Sequence, residues 1–544
     1  VFLMTFIVQR EQDSLNTLAL AALVILATDP PSLFSISFQL SFAAVFAIIY
    51  GFSCLRDRPT EPKEQREDNW PIRFRSKLVS FFLVSFFAIC GSLPLVAYYF
   101  NQISLVGLAA NMIVVPLVGF ISIPIGLVAL FTMPFNSLFA SWCINAGTMV
   151  LSFALGIVKF FADLPFAAVK IVTPGFIEIA CFYMLGWALL NLYRRRPNET
   201  AAPQNTGAAD HIIPGDRDES RRTGRSGLRP SLEMLAGRKI TRFSASSLAK
   251  ITVVLVLFTL AADTCYWLYQ RFWHQDLRVT VVDVGNGAAS LLELPGGYTI
   301  LIDGGGFSDN AAFDMGERVL APFLWSKKIR TVDTLILSHP NSDHLNGLIY
   351  IADNFHVKNI WTNNEPGNTL AYAMLMSVVA NRGISLPVFE YMPRRHQIED
   401  VEFDFLYPPS DFLKRKNSEK WRNPNNNSLV VKVSLGSISF LFPGDIMAEA
   451  EGEIVRMVGN KLTSTVLIAP HHGSRTSSSE IFLDEVNPEV VIISTGRNSR
   501  FQLPHRTVLK RYQERGCTIW RTDINGAIRM ATDGEHLEVK PFVR

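Results

Sequence analysis

The stretch Leu335-Ile-Leu-Ser-His339-Pro-Asn341-Ser-Asp343-His344-Leu-Asn-Gly347-Leu348 ends an apolar, strand-like run with two histidines and an aspartate crowded together. A strand-to-helix turn accepts almost any polar residues, so a satisfied turn with incidental histidines is the plain alternative. Two imidazoles and a carboxylate at this spacing are also the borderline-hard ligands that Zn²⁺ or Mn²⁺ prefer. The neighbouring sequence favours the metal.

Downstream, the apolar run Ser437-Ile-Ser-Phe-Leu-Phe442 delivers Pro443-Gly444-Asp445. Another, Ser464-Thr-Val-Leu-Ile468, delivers Ala469-Pro470-His471-His472-Gly473-Ser474. Three strands thus each drop a ligand-type residue at their C-terminal ends, where sheets with helical layers place their chemistry. Across residues 276–544 strands such as 278–284 and Thr299–Ile302 alternate with helices such as 372–382 and 507–515, a pattern that suits two sheets between helices.

With Ile302-Asp303-Gly-Gly-Gly306 upstream, these residues resemble the metallo-β-lactamase fold. Flanking words narrow the resemblance to the ComEC/Rec2 family of DNA-internalisation proteins of natural competence: Val282-Asp-Val-Gly285-Asn-Gly287, Met315-Gly-Glu-Arg-Val-Leu-Ala-Pro322, Pro443-Gly-Asp-Ile446 and Pro470-His-His-Gly-Ser474. The resemblance implies an αββα sandwich with metal ligands His339, Asp343, His344, Asp445 as bridging carboxylate, and one of His471 and His472. Asp343, His339, His344 and Asp445 would carry the chemistry, with Asp343 both ligand and orienter of the water that attacks phosphorus. Asp303 and Asp283, at strand ends, are expected to hold the metal-binding loop through hydrogen bonds.

Departures from the family pattern are informative. Asn341 stands where the fold's second histidine belongs, and Asn425-Asn426-Asn427 lies where a third is expected. Asparagine is a neutral oxygen donor and a poor zinc ligand. One firm metal position and one weak, oxygen-rich position follow, so one or two divalent ions are expected, with Mn²⁺ or Mg²⁺ suiting the weak position better than a second Zn²⁺. His505 stands near the expected place of another family histidine and either shares that role or is a loop histidine. Ser474 is a candidate donor to a substrate phosphate or a simple helix N-cap.

Averages of 49% hydrophobic and 18% charged residues conceal two unlike halves. Before residue 271, stretches near 14–28, 32–54, 78–100, 103–132, 136–165, 171–193 and 250–270 are apolar on all faces and mostly near or beyond the roughly 20 residues that cross a bilayer. Some resemble the competence membrane domain, notably Asn16-Thr-Leu-Ala-Leu-Ala-Ala22, Ser37-Phe-Gln-Leu-Ser-Phe42 and Ala110-Asn-Met-Ile-Val-Val-Pro-Leu117. The expected organisation is a competence-type transmembrane domain over 1–193, a basic disordered linker over 194–249, a membrane helix over 250–270, and the metal domain over 271–544. Val1 falls inside an apolar run, so the chain is expected to be a fragment of a longer protein.

The polar stretches 56–77 and 194–250 are rich in arginine and lysine, a bias that keeps short loops in the cytoplasm. Four spans separate them, and 250–270 then carries the chain across, which puts the metal domain on the extracytoplasmic side of the cytoplasmic membrane. A re-entrant segment would reverse that parity. The segment 103–132, with Pro116 and Pro124, is the suspect, being either a broken helix lining a path or a kinked helix with Asn111 in an interhelical hydrogen bond.

A net charge of +3 is too small to argue for DNA binding by the whole chain. Local clusters are candidates: Lys327-Lys328-Ile-Arg330, Arg394-Arg395-His396, and Lys414-Arg-Lys416 through Lys420 and Arg422, the last interleaved with Phe412 and Trp421. Lys416 and Arg422 are therefore candidate DNA contacts, against the alternative of a solvated charged face. Cys517 is alone in the metal domain, so that domain holds no internal disulfide. The expected function is DNA uptake, with the metal domain degrading one strand while the other is translocated. Expected partners are DNA, the lipid bilayer, other DNA-uptake proteins and further copies of the chain. Two alternatives stay open: a translocation channel with an inactive metal domain, and a membrane-anchored hydrolase of a substrate other than nucleic acid.

Overall fold

The computed structural model describes residues 14–56, 70–194, 245–307, 312–497, 499 and 501–542. Of the two basic loops read from the sequence, residues 57–69 and 195–244 fall outside these residues. What is described forms two bodies.

The first body is helical. Its elements are α1 (Ser14–Thr28), α2 (Ile36–Arg56), α3 (Trp70–Phe100), α4 (Gly107–Thr132), α5 (Ser137–Ala162), α6 (Phe176–Arg194) and α7 (Ala245–Phe272), the last crossing into the second body. Six of them, α2 to α7, are long and apolar enough to cross a membrane. At 15 residues, α1 is shorter than the roughly 20 needed. Large apolar side chains such as Phe120, Phe131, Trp142 and Phe153 face outward. That is the inverse of a water-soluble helix and the expected surface of one solvated by lipid.

The segment suspected of re-entry is one continuous helix. Between Pro116 and Pro124, α4 loosens into a π-helical stretch, Leu117–Ser122, and then resumes. A π-turn absorbs the hydrogen bonds that the prolines cannot donate, so the chain bends without breaking.

Two short strands, β1 (Gln102–Ser104) and β2 (Ala168–Lys170), pair with each other, and the second body is a sandwich of two seven-stranded sheets. One sheet has the order β16-β15-β3-β4-β5-β6-β7, built from β3 (Leu277–Val281), β4 (Ser290–Glu293), β5 (Thr299–Ile302), β6 (Thr331–Leu337), β7 (His356–Thr362), β15 (Ile528–Thr532) and β16 (Leu537–Pro541). Its partner has the order β14-β13-β12-β11-β10-β9-β8, built from β8 (Arg395–Ile398), β9 (Val401–Tyr407), β10 (Val430–Leu435), β11 (Ile438–Phe442), β12 (Val466–Ile468), β13 (Val490–Ile493) and β14 (Thr518–Arg521).

Alternation along the strands builds three apolar layers. Ile300 and Ile302 of β5 and Phe440 and Phe442 of β11 point between the sheets, into a core shared with Val279, Phe403, Val431 and Ile492. Their neighbour Leu301 points the other way, against Leu345 and Leu348 of α8 (Ser342–Asn354). Leu441 faces Ile454 of α9 (Ala448–Val458). Helices thus cover both outer faces, which is the αββα arrangement expected from the sequence. With both faces covered, these strands read as continuous apolar runs.

β5, β6 and β7 run parallel, as do β11, β12, β13 and β14. The loops after β5, β6, β11, β12 and β13 therefore leave the sheets on one side and converge there.

Candidate metal centre

Three of those loops bring Asp343, His344, Asp445 and His472 together, with one ligand atom from each lying within 4.8 Å of the others. His344, Asp445 and His472 are buried, while Asp343 is 36% exposed at its side chain and marks the open side. His344 Nε2 lies 3.1 Å from Asp445 Oδ1, and His472 Nε2 lies 3.6 Å from that same oxygen and 3.7 Å from Asp343 Oδ2.

Hydrogen bonds behind the cluster aim the imidazoles. His344 Nδ1 donates to Asp303 Oδ2 at 2.8 Å, and His472 Nδ1 donates to the Ser494 carbonyl at 3.1 Å. Each ring therefore turns Nε2 inward. Among the described residues, the Nε2 atoms of His339, His344 and His472 are buried without a hydrogen-bond partner. Three orphaned imidazole nitrogens beside two carboxylates suit a divalent cation, so the residues present fit the expected ion.

Charge follows the same geometry. Burial disfavours protonation of His344, yet Asp445 and Asp303 outweigh it and raise its pKa well above the usual imidazole value. His472 is raised too, against its burial, by Asp445 and Asp343. Asp445 is held well below the carboxylate range by His344 and His472 despite its own burial. His339 goes the other way: burial first, then the neighbouring His344, pushes it down to about 4, so its ring is neutral near pH 7.

His339 stands beside the cluster rather than in it, its ring centroid 4.2 Å from that of His344. Around the second position, Asn341 Nδ2 donates to Asn425 Oδ1 at 2.5 Å, and Asn425 Nδ2 lies 3.4 Å from His471 Nε2. His471 Nε2 in turn is 3.9 Å from Asp445 Oδ2. The two asparagines thus pair with each other next to a half-buried histidine, and the two halves of the site are unequal.

Asp303 also accepts the Ser338 amide at 2.8 Å, which ties the end of β5 to the end of β6. Asp283, by contrast, accepts only the Gly285 amide of its own turn in the described structure. Asp303, His471 and His472 all have positive φ, near 58°, 51° and 55°. Left-handed backbone at non-glycine residues costs on the order of 1–3 kcal/mol each and gathers at sites whose geometry is over-determined. Gly347 meets a different demand, since a Cβ there would collide with the Gly304 carbonyl where α8 packs on the glycine turn.

The remaining candidates are placed away from the cluster. Ser474 Oγ pairs with Thr476 Oγ1 at 3.0 Å and closes a turn, and the next helix is capped by Ser479 instead. His505 is the N-cap of Arg506–Glu514, its Nδ1 accepting the Thr507 amide, while its own amide reaches the Gly473 carbonyl. The basic cluster turns inward: Lys416 Nζ lies 2.7 Å from buried Glu365, and the buried guanidinium of Arg422 bonds Glu453, Glu419 and Tyr407. The Lys416 side chain stays 40% exposed, while that of Arg422 is fully buried.

Four partners were not singled out from sequence. Ser338 Oγ sits 3.0 Å from His339 Nδ1 and 3.2 Å from His344 Nδ1. Ser428 Oγ accepts the Asp445 amide, donates to the Asn425 carbonyl and lies 3.3 Å from His339 Nδ1. Thr476 Oγ1 is 3.3 Å from His471 Nδ1, and Ser494 orients His472 through its backbone. Adjacency to His339 was a signal for Ser338; a serine elsewhere in the chain carries none.

Fold and site together define a metallo-β-lactamase-type domain borne by a multi-pass inner-membrane protein. Residues 1–196 match the family described as competence protein, and residues 282–497 match the metallo-beta-lactamase superfamily. The chain is 25% identical over 545 residues to ComE operon protein 3 of Bacillus subtilis, covering 97% of this chain and 59% of that one. Recombination protein 2 of Haemophilus influenzae is 25% identical over 543 residues, 98% of this chain and 60% of that one. Competence protein ComA of Neisseria gonorrhoeae is 29% identical over 259 residues, 46% of this chain and 32% of that one. The chain spans about three fifths of the length of the first two relatives.

Proposed function

We propose that the protein takes part in DNA uptake, its membrane part passing one strand while the C-terminal domain, on the extracytoplasmic side, hydrolyses phosphodiester bonds of the other. The observation that carries this reading is the cluster of Asp343, His344, Asp445 and His472 in a chain that also contains a competence membrane part.

These four residues would hold the firm divalent ion, and His339 and His471 with the two asparagines a weaker one. When bound, such an ion supplies a Lewis acid for a phosphoryl oxygen and lets water act as nucleophile near neutral pH. Asp343 stays ionised because His472 and His344 outweigh its burial, so on the open side it can accept a hydrogen bond from the attacking water. Asp303 and the Ser494 carbonyl keep the imidazoles from turning.

A second reading rests on the Asn341–Asn425 pair. A site stripped of two imidazoles suits a channel whose domain guides DNA without cutting it.

Uptake of duplex DNA labelled on both strands tests the proposal in competent cells carrying either the wild-type protein or Asp445→Ala. The expected result is nucleotide release into the medium with wild type and none with the variant. Equal release from both would remove the hydrolytic role, and release only inside the cell would reverse the orientation.

A further inference from the structure

A cavity of about 190 Å³ opens at the end of α7, on the second body and away from the metal centre. Its walls come from the last turns of that helix, from the start of β3, and from the turn between β4 and β5. The metal cluster gathers at the opposite ends of these strands. Such a volume holds on the order of six water molecules, which is room for a phosphate group with some of its hydration.

The lining is cationic. Arg271, Arg278, Lys327 and Arg529 face Glu293 as the one carboxylate in the wall. Lys327 is taken up by Glu293 at 2.5 Å. Arg278, only 9% exposed, donates through Nη1 to the Gln270 carbonyl at the end of α7 and has Nη2 3.7 Å from Asp276 Oδ2, but its Nε has no partner among the described residues. Arg529 Nε is likewise buried and unpartnered. A buried guanidinium left with free donors costs stability unless an acceptor arrives. The planar fork is built for phosphate and carboxylate.

Position selects the ligand. Ser247–Phe272 is a candidate membrane span, and Tyr266, Tyr269, Phe272 and Trp273 are exposed at its end. Aromatic rings of this kind mark the headgroup level of a bilayer. The cavity opens among them, with Tyr266 and Trp267 in its wall.

We propose that this cavity binds the phosphate of an anionic phospholipid headgroup and so ties the metal domain to the leaflet in which α7 ends. Location favours a lipid over a nucleic-acid backbone, because the cavity opens among the exposed aromatic residues at the end of a candidate membrane span.

Native mass spectrometry of the full chain in neutral detergent, titrated with phosphatidylglycerol or phosphatidylcholine, tests the proposal. Phosphatidylglycerol is expected to bind at least about tenfold more tightly. Arg529→Gln, which leaves the β15 backbone ladder intact, is expected to remove about tenfold of that affinity. Arg271→Gln serves as a second variant with the same expectation. Equal binding of the two lipids, or undiminished binding by both variants, would overturn the site. Displacement of the lipid by millimolar inorganic phosphate, or by a short DNA duplex at micromolar concentration, would overturn its assignment to lipid.

Discussion

Ser428 shows how much of the metal centre depends on a side chain that never meets the ion. Its hydroxyl accepts the Asp445 amide, donates to the Asn425 carbonyl and lies beside His339. Ser428→Ala orphans a buried amide, at a cost of about 1–3 kcal/mol, and frees the Asp445 loop. Metal affinity is expected to fall by roughly 10–100-fold, and denaturant unfolding with metal titration reads both. A variant with wild-type stability and affinity would show that the loop holds its shape without the hydroxyl. Protonation offers a second test at this scale. His344 and His472 have raised pKa values in the metal-free protein, so a cation must displace protons to reach them. Metal affinity should therefore climb as pH rises through those raised values, and calorimetry in buffers of different ionisation enthalpy should record net proton release. Uptake of metal with no proton release would mean that the imidazoles are already neutral.

Among elements, strands and their ligand-bearing ends were legible because both faces are covered, leaving continuous apolar runs such as Ile438–Phe442 that stop at Pro443-Gly444-Asp445. His339 to His344 stood out because three ligand-type residues in one turn serve no purpose in folding. The ion pairs of the basic run around Lys416 were not legible, and the reason is physical. A charge cluster does not say which distant carboxylates fold back on it, and here Glu365 and Glu453 do so from 51 and 31 residues away. Through buried Arg422 the segment joins β9, where Tyr407 bonds Glu453, to α9, where Glu453 resides. Glu453→Ala would leave Arg422, whose side chain is fully buried, with Glu419 as its remaining carboxylate. A loss of about 3–5 kcal/mol is expected on thermal or urea unfolding, as when one partner of a buried ion pair is removed. A change below about 1 kcal/mol would mean that Glu419 alone satisfies the guanidinium. Asn341 and Asn425 stood out in the sequence as departures from the family pattern, but their mutual hydrogen bond was not legible, since it joins loops 84 residues apart.

At the scale of the whole molecule, a helical membrane part and a metallo-β-lactamase domain share one chain, and ComE operon protein 3 and Recombination protein 2 are similar to it over 97% and 98% of its length. We propose that the second part is a working metal-dependent phosphodiesterase despite its asparagines. The most direct measurement is cleavage of linear duplex and single-stranded DNA by the purified full chain, with Mn²⁺, Mg²⁺ or Zn²⁺ added in turn, beside Asp343→Ala and Asp445→Ala. Expected is cleavage that requires a metal and that falls in both variants by more than the roughly 10–100-fold cost of losing an outer partner. Folded, metal-loaded protein that cuts neither DNA with any of the three ions would contradict the account and leave a channel carrying a silent site.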